Sequence, residues 1–187
     1  LSAASTKWNF HRHTPGIGVG GHCIPIDPHY YIDIAKRFGV KSSLSPSARD
    51  LNLSMPQHNA KEIINFCGRI PENILILGYA YKPNISDTRE TPVEPLIKEL
   101  LNSGVENVII WDPHVSGEKF PNFSTPIDSL DELSMLDCIV IGTAHDEVID
   151  LDWPSLLNLT KRQLLYDGRR CLDPTVMEEM GWKFHAI

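Results

Sequence analysis

One cysteine of this chain stands among residues that could do chemistry with it. It is Cys23, in the run Pro15-Gly16-Ile17-Gly18-Val19-Gly20-Gly21-His22-Cys23-Ile24-Pro25-Ile26-Asp27-Pro28. A thiolate is the reactive form of cysteine, and a helix N-terminus or a nearby histidine favours it. Asp27-Pro28 reads as such a helix start, with Asp27 as N-cap and Pro28 in the first helical position. Asp27 could also act as acid or base, if the turn brings it near the sulfur. Residue chemistry alone leaves three readings of Cys23 open: a nucleophile, a buried structural thiol, or a metal ligand. His11, His13, His22 and His29 are close in sequence, but their spacings fit no common zinc pattern.

Gly16, Gly18 and Gly21 also satisfy G-x-G-x-x-G. A dinucleotide fingerprint must follow a strand and open a helix, and the flanks His11-Arg12-His13-Thr14 and Cys23 to Pro28 do neither. The glycines suit instead a loop that lets backbone approach a ligand closely. A second constellation runs from Gly78 to Glu90 (GYAYKPNISDTRE). Lys82 and Arg89 offer cations for a diphosphate, and Tyr81 could pack on a ring. The alternative is a solvated charged loop. A third, Asp167-Gly168-Arg169-Arg170, could bring its arginines to the same crevice.

The elements that must position these residues follow from periodicity. Tyr31, Ile34, Ala35 and Phe38 recur at helical spacing and Gly39 reads as a stop. A second helix is expected from about Ser45-Pro46 towards Met55-Pro56, and a third over 57 to 67. After Pro71 the pattern changes. Strands are predicted at 73 to 78, 107 to 112, 136 to 142, 163 to 167 and 182 to 187. Between them, Thr91-Pro92-Val93-Glu94 reads as a capping box ahead of the stripe Val93, Leu96, Ile97, Leu100 and Leu101, with Gly104 as the stop. Further helices are expected near 126 to 134, 144 to 158 and 174 to 180. Alternating strands and helices imply an α/β, Rossmann-like parallel sheet with helices on both faces, preceded by a short mostly helical segment. The boundary falls near 68 to 72, giving segments 1–70 and 71–187.

The 187 residues suit one domain with a short neighbour. A net charge of −7 argues against a bulk-basic nucleic-acid binder, so any anion must be held by local cations. No apolar run spans a membrane, and no signal peptide is evident. The chain reads as cytoplasmic, without disulfides. Cys67 and Cys138 lie in apolar runs and read as small buried hydrophobes. The absence of an initiator Met points to a fragment or a processed chain.

The set of motifs is more specific than any member. GVGGHCIPIDP, then ILGYAYKPNISDTRETP, then WDP at 111 to 113 and DGRR at 167 to 170, resembles the UDP-glucose/UDP-N-acetylhexosamine 6-dehydrogenase family over essentially the whole chain. TKWNF at 6 to 10 and the form GGHC resemble the branch acting on UDP-N-acetyl sugars. The UDP-glucose branch more often has serine at His22 and lysine at Ile26. The resemblance implies a C-terminal part of an NAD-dependent enzyme that oxidises the sugar C6 to a carboxylate, the NAD domain and several catalytic residues lying upstream. It implies Cys23 as nucleophile and Asp27 as its acid-base partner. It implies Thr14, Gly16, Gly18, Gly20, Tyr81, Lys82 and Arg169 as substrate ligands, Arg89 at the NAD diphosphate, a homodimer as intact enzyme, and no metal. The competing classes are a non-catalytic nucleotide-sugar binding module and a zinc hydrolase built on the His/Cys cluster.

Overall fold

The computed structural model describes residues 1–11, 13–131 and 133–187. The N-terminal segment is irregular up to α1 (Asp27–Arg37), and α2 (Leu44–Cys67) follows. Beyond it come β1 (Asn73–Leu77), α3 (Val93–Asn102), β2 (Asn107–Trp111), β3 (Thr125–Pro126) and β4 (Cys138–Ile141). The chain ends with α4 (Asp146–Ile149), α5 (Trp153–Leu156), β5 (Leu164–Asp167), α6 (Pro174–Glu179) and β6 (Lys183–Ala186). Among the described residues six strands form one sheet in the order β3-β2-β1-β4-β5-β6, with every neighbouring pair parallel. That is the doubly wound order, whose direction of travel switches between β1 and β4.

The period-2 alternation of the strands divides two cores. Ile74 and Ile76 of β1, Ile110 of β2, Val140 of β4 and Tyr166 of β5 face one side, where α2 and α3 cover them. Leu75, Leu77, Ile139, Ile141 and Leu165 face the other, beneath Val148, Trp153, Met177 and Trp182. All five expected strands form, each shortened by one to three residues at its ends.

Several expectations are corrected. The two helices expected on either side of Pro56 are one, α2. Proline removes a backbone donor, yet both halves of α2 are held. The Asn59 amide donates to Met55 O at 2.7 Å, and Ala60, Ile63 and Cys67 are buried against the sheet. The helix expected near 126 to 134 does not form in its described residues (Glu132 lies outside them); the chain there adds the short edge strand β3 instead. Residues 144 to 158 make two short helices rather than one, with proline at the start of α5. The α1 stripe buries only Ala35. Asp27 does not cap α1: its carboxylate accepts no capping bond, because the helix winds directly out of a turn in which Ile26 N and Asp27 N both donate to Cys23 O, at 2.9 and 2.8 Å. The capping box forms by half. Thr91 Oγ1 accepts from Val93 N at 3.3 Å, while Glu94 turns to Lys98 at 2.6 Å.

Candidate functional site

The glycine segment is laid across the C-terminal end of the sheet, where the switch in strand order opens a crevice. Ile17 anchors it: the side chain is fully buried and Ile17 N donates to Gly168 O, just past β5, at 3.2 Å. Two residues on, the Asn52 side chain of α2 brackets Val19, accepting from its N at 2.8 Å and donating to its O at 3.2 Å. Gly20 then passes so close to the loop after β1 that a Cβ there would lie 2.3 Å from Glu90 O. Gly21 takes φ +97°, and a Cβ on it would sit 2.6 Å from the Tyr81 ring. Only glycine allows both that conformation and that approach.

This seating delivers Cys23 to the crevice. Its thiol is exposed and lies 3.7 Å from His22 Nδ1. With Gly20, Gly21, His22, Ile24, Tyr81 and Arg89 it lines an open cavity of about 380 Å³. Arg89 is held in place by a bidentate pairing with Asp87, at 2.6 to 3.0 Å. That bond holds the Asp87 carboxyl down at about 2. Asp27 is exposed and does not line this cavity; its nearest tie to Cys23 is between backbones.

A second cavity of about 200 Å³ shares Gly20, Ile24 and Tyr81 with the first and adds Gly18, Val19, Lys82 and Arg169. Lys82 is exposed and has no acidic partner among the described residues. Arg169 is clamped. Its Nε donates to Gly142 O at 2.6 Å and its Nη1 to Gly18 O at 3.3 Å, while Nη2 is buried with no partner. Burial draws its pKa down to about 10, so the guanidinium stays charged at neutral pH. A third cavity of about 320 Å³, lined by Thr14, Gly16, Gly18 and Arg169, opens on α2 at Leu51 and Met55. Arg170 does not converge on the crevice; it turns to the Ile187 carbonyl.

The arrangement joins an accessible thiol, an aromatic ring and three cations, Arg89, Lys82 and Arg169, the last with an unsatisfied buried donor, across neighbouring cavities. Such a set can hold an anionic group, with charge-assisted bonds from Lys82 and Arg169, and present a group attached to it to Cys23.

Sequence reasoning missed the supports behind the site. Asp112, at the end of β2, is buried and accepts from Tyr79 N at 2.6 Å, Ala80 N at 2.9 Å and His145 Nε2 at 3.0 Å. His145 is fully buried after β4, and its Nδ1 accepts from Asn84 N at 2.9 Å. The available signals for Asp112 were its place at the end of a predicted strand and in the WDP motif at 111 to 113, neither of which gave it a role. His145, a lone histidine, gave none. Its nitrogens come close to His114 and Glu147, the one group of three potential metal ligands among the described residues. Both of those nitrogens already have partners, Asp112 and Asn84.

Comparisons with known proteins bear on the family and the fold. The model of the UDP-glucose/GDP-mannose dehydrogenase family's UDP binding domain matches residues 75–174, and that of its central domain matches residues 1–54. A UDP-N-acetyl-D-mannosamine dehydrogenase of Methanocaldococcus jannaschii is 33% identical over 92% of this chain and 39% of its own. A UDP-N-acetyl-D-glucosamine 6-dehydrogenase of Pseudomonas aeruginosa is 32% identical over 92% of this chain and 42% of its own. The solved structure of a UDP-D-ManNAc dehydrogenase from Pyrococcus horikoshii superposes with a TM-score of 0.81 at 34% identity, over 100% of this chain and 42% of that one. This chain thus spans about two fifths of the length of the relatives it matches. Motif order, sheet order and the two family models agree, and the chain belongs to the UDP-glucose/GDP-mannose dehydrogenase family.

Proposed function

We propose that this chain is the C-terminal part of an NAD-dependent UDP-N-acetylhexosamine 6-dehydrogenase, and that its crevice binds the UDP-sugar. The observation that carries the reading is the adjacency of two cavities through Tyr81 and Gly20. One holds the exposed Cys23 thiol and the other holds Lys82 and Arg169. A diphosphate bonded to Lys82 and Arg169 leaves its sugar within reach of Cys23. Tyr81 packs on a ring, and Thr14, Gly16, Gly18 and Gly20 supply close backbone.

In this reading NAD is held mainly by the part of the intact enzyme that precedes this chain. Among the described residues the glycines 16 to 21 follow no strand, and Arg89 is the one arginine or lysine lining the Cys23 cavity. When bound, NAD supplies the acceptor for the hydrides that leave C6. At the aldehyde level, Cys23 Sγ adds to the C6 carbonyl and its proton goes to the new oxygen, giving a thiohemiacetal. The second hydride then leaves that carbon and the hydroxyl proton goes to solvent, giving a thioester; water adds to the thioester carbon, the C–S bond breaks, and the thiol is regenerated with a carboxylate. Asp27 serves as acid or base only if the turn at Ile24 to Ile26 reorients, because its carboxylate lies outside the cavity.

The same reading assigns a homodimer in the cytoplasm to the intact enzyme. Exposed Tyr30, Tyr31, Ile34 and Phe38 on α1 and Leu51 on α2 support an apolar interface there. No helix among the described residues is long and apolar enough to cross a membrane.

Calorimetric titration of this chain with UDP tests the binding site. Binding is expected, with Lys82→Ala weakening it roughly tenfold, the worth of one charge-assisted bond. Equal affinity in wild type and Lys82→Ala would show that the loop is only solvated.

A further inference from the structure

Tyr81 and Lys82 sit on a loop that has left the sheet, so its backbone groups need partners other than strands. Their partners come from three directions. Gly78 N donates to Trp111 O at 2.8 Å, and Tyr79 N and Ala80 N donate to Asp112 Oδ2. Thr91 Oγ1 donates to Tyr79 O at 2.7 Å, and the Thr143 hydroxyl donates to Ala80 O. Tyr81 N donates to Asp87 O at 3.1 Å. Among the described residues no hydrogen bond holds Lys82 itself, and the next fixed point is Asn84. There φ is +61°, a left-handed conformation that asparagine tolerates better than most residues. Asn84 N donates to His145 Nδ1 at 2.9 Å, and its side-chain oxygen accepts from Asp146 N at 3.0 Å.

His145 therefore carries two constraints at once. Its Nδ1 takes an amide hydrogen and must be unprotonated. Its Nε2 faces a carboxylate at 3.0 Å and must carry the hydrogen. Both side chains are wholly buried. His145 follows β4 and Asp112 follows β2, the two strands that flank β1. The His145–Asp112 bond thus joins the ends of the two strands beside β1 and, through Tyr79 N, Ala80 N and Asn84 N, forms a strap that ties down the loop leaving β1. His114 packs on the outer face of the His145 ring, 4.7 Å between centroids, and is itself bonded to Glu147 at 3.1 Å.

We propose that His145 is a positioning residue for the nucleotide-binding pair Tyr81 and Lys82. As a neutral imidazole with hydrogen on Nε2, it locks Asn84 to Asp112 and so fixes the span that aims Lys82 into the crevice. The inference rests on the reading of Tyr81 and Lys82 as UDP ligands. It adds a residue that touches no ligand yet sets the affinity of one that does.

Two substitutions separate the two ends of the ring. In His145→Asn the amide oxygen lies near the position of Nδ1 and can still accept from Asn84 N. In His145→Gln the terminal amide lies near Nε2, keeps a donor for Asp112, and loses the acceptor for Asn84. The measurements on this 187-residue chain are two-bond nitrogen–proton spectra of the histidines, hydrogen exchange of the Asn84 amide, thermal unfolding, and titration with UDP itself. The wild-type spectrum is expected to show the Nε2–H form. In His145→Gln the Asn84 amide should exchange at least tenfold faster and UDP should bind about tenfold more weakly, the effect of losing one buried hydrogen bond. His145→Asn should restore Asn84 protection and most of the affinity, even if it unfolds at a lower temperature. An Nδ1–H form in the wild type overturns the proposal whether or not either variant folds. So does a UDP affinity that follows unfolding temperature alike in both variants. Lys82→Ala separates this failure from that of the binding site. If it leaves UDP affinity unchanged, the UDP reading falls and the strap serves no nucleotide. If it weakens UDP while His145→Gln does not, the strap alone is overturned.

Discussion

Cys23 is the exposed member of four free thiols, and burial, partial for Cys171, shields the others from solvent and from reagents. Cys67 and Cys138 are buried in the core beneath α2, and burial together with the charge of Asp167 pushes the Cys171 thiol up to about 12. A disulfide reagent such as dithionitrobenzoate should therefore titrate one fast equivalent in the native chain, absent in Cys23→Ser, with the remaining thiols appearing on unfolding. A second fast equivalent would mean that the crevice thiol is not singular. Asp112 governs stability at this same scale. Burial by itself would push its pKa up. The bond from His145 and the backbone N–H groups of Ala80, Tyr79 and His114 outweigh burial and hold it down at about 2. A depressed folded-state pKa stabilises the fold fully above the unfolded value near 4, and that contribution is lost as pH falls through about 2. The shift corresponds to roughly 2–3 kcal/mol. Denaturant unfolding should find Asp112→Asn less stable by about 2–3 kcal/mol at pH 7, with the gap to wild type closing between about pH 4 and 2. A gap that persists unchanged at acid pH would locate the stabilisation in shape rather than in charge. Cys23 was legible because its neighbours are unusual residue types. Asp112 and His145 are ordinary residues 33 positions apart, and only the parallel placement of β2 and β4 beside β1 brings them together.

The glycine segment is the element on which the site depends, because it links α2, the end of β5 and the loop after β1 through backbone contacts. Its hold on Asn52 and Gly168 is specific, and its passage past Glu90 O leaves no room for a side chain. Gly20→Ala places a methyl against backbone rather than against a flexible side chain, so the loop must lift. The expected cost is about 1–3 kcal/mol of stability, with UDP affinity falling by more than the change in stability explains. Equilibrium unfolding and calorimetry on the same preparation check it, and a variant that keeps full UDP affinity would place the nucleotide elsewhere. The segment was readable as a ligand-approach loop from its glycines and from its flanks, which are wrong for a dinucleotide fold. Its partners were not readable, because Asn52 and Gly168 lie 33 and about 150 residues away in the chain.

At the scale of the whole molecule, α2 belongs to both parts of the chain. Its first half faces the glycine loop through Asn52, and its second half covers the sheet with Ala60, Ile63 and Cys67. Arg162 donates to Cys67 O at 2.6 Å, and Arg69 pairs with the buried Asp137 at 2.8 Å, so the end of α2 is also tied to the strands by polar groups. A truncation covering residues 56–187 is therefore expected to unfold cooperatively. One covering 72–187, cut at the compositional boundary, should lose most of its stability, since deleting a single buried Ile-sized side chain costs about 2–5 kcal/mol. Equal thermal midpoints for the two would show that the sheet domain is complete without α2. The sequence by itself determined five of the six described strands and the sheet class, and it singled out Cys23 as the thiol with chemically unusual neighbours, because alternation, local turn chemistry and unusual neighbours are properties of adjacent residues. Tertiary structure alone decided that α2 continues through Pro56, that Asp27 stands outside the crevice, and that Asp112 and His145 join across the loop after β1. Each of those outcomes is set by which distant surface has to be covered and which buried polar group has to find a partner, and neither is written in any local run of residues.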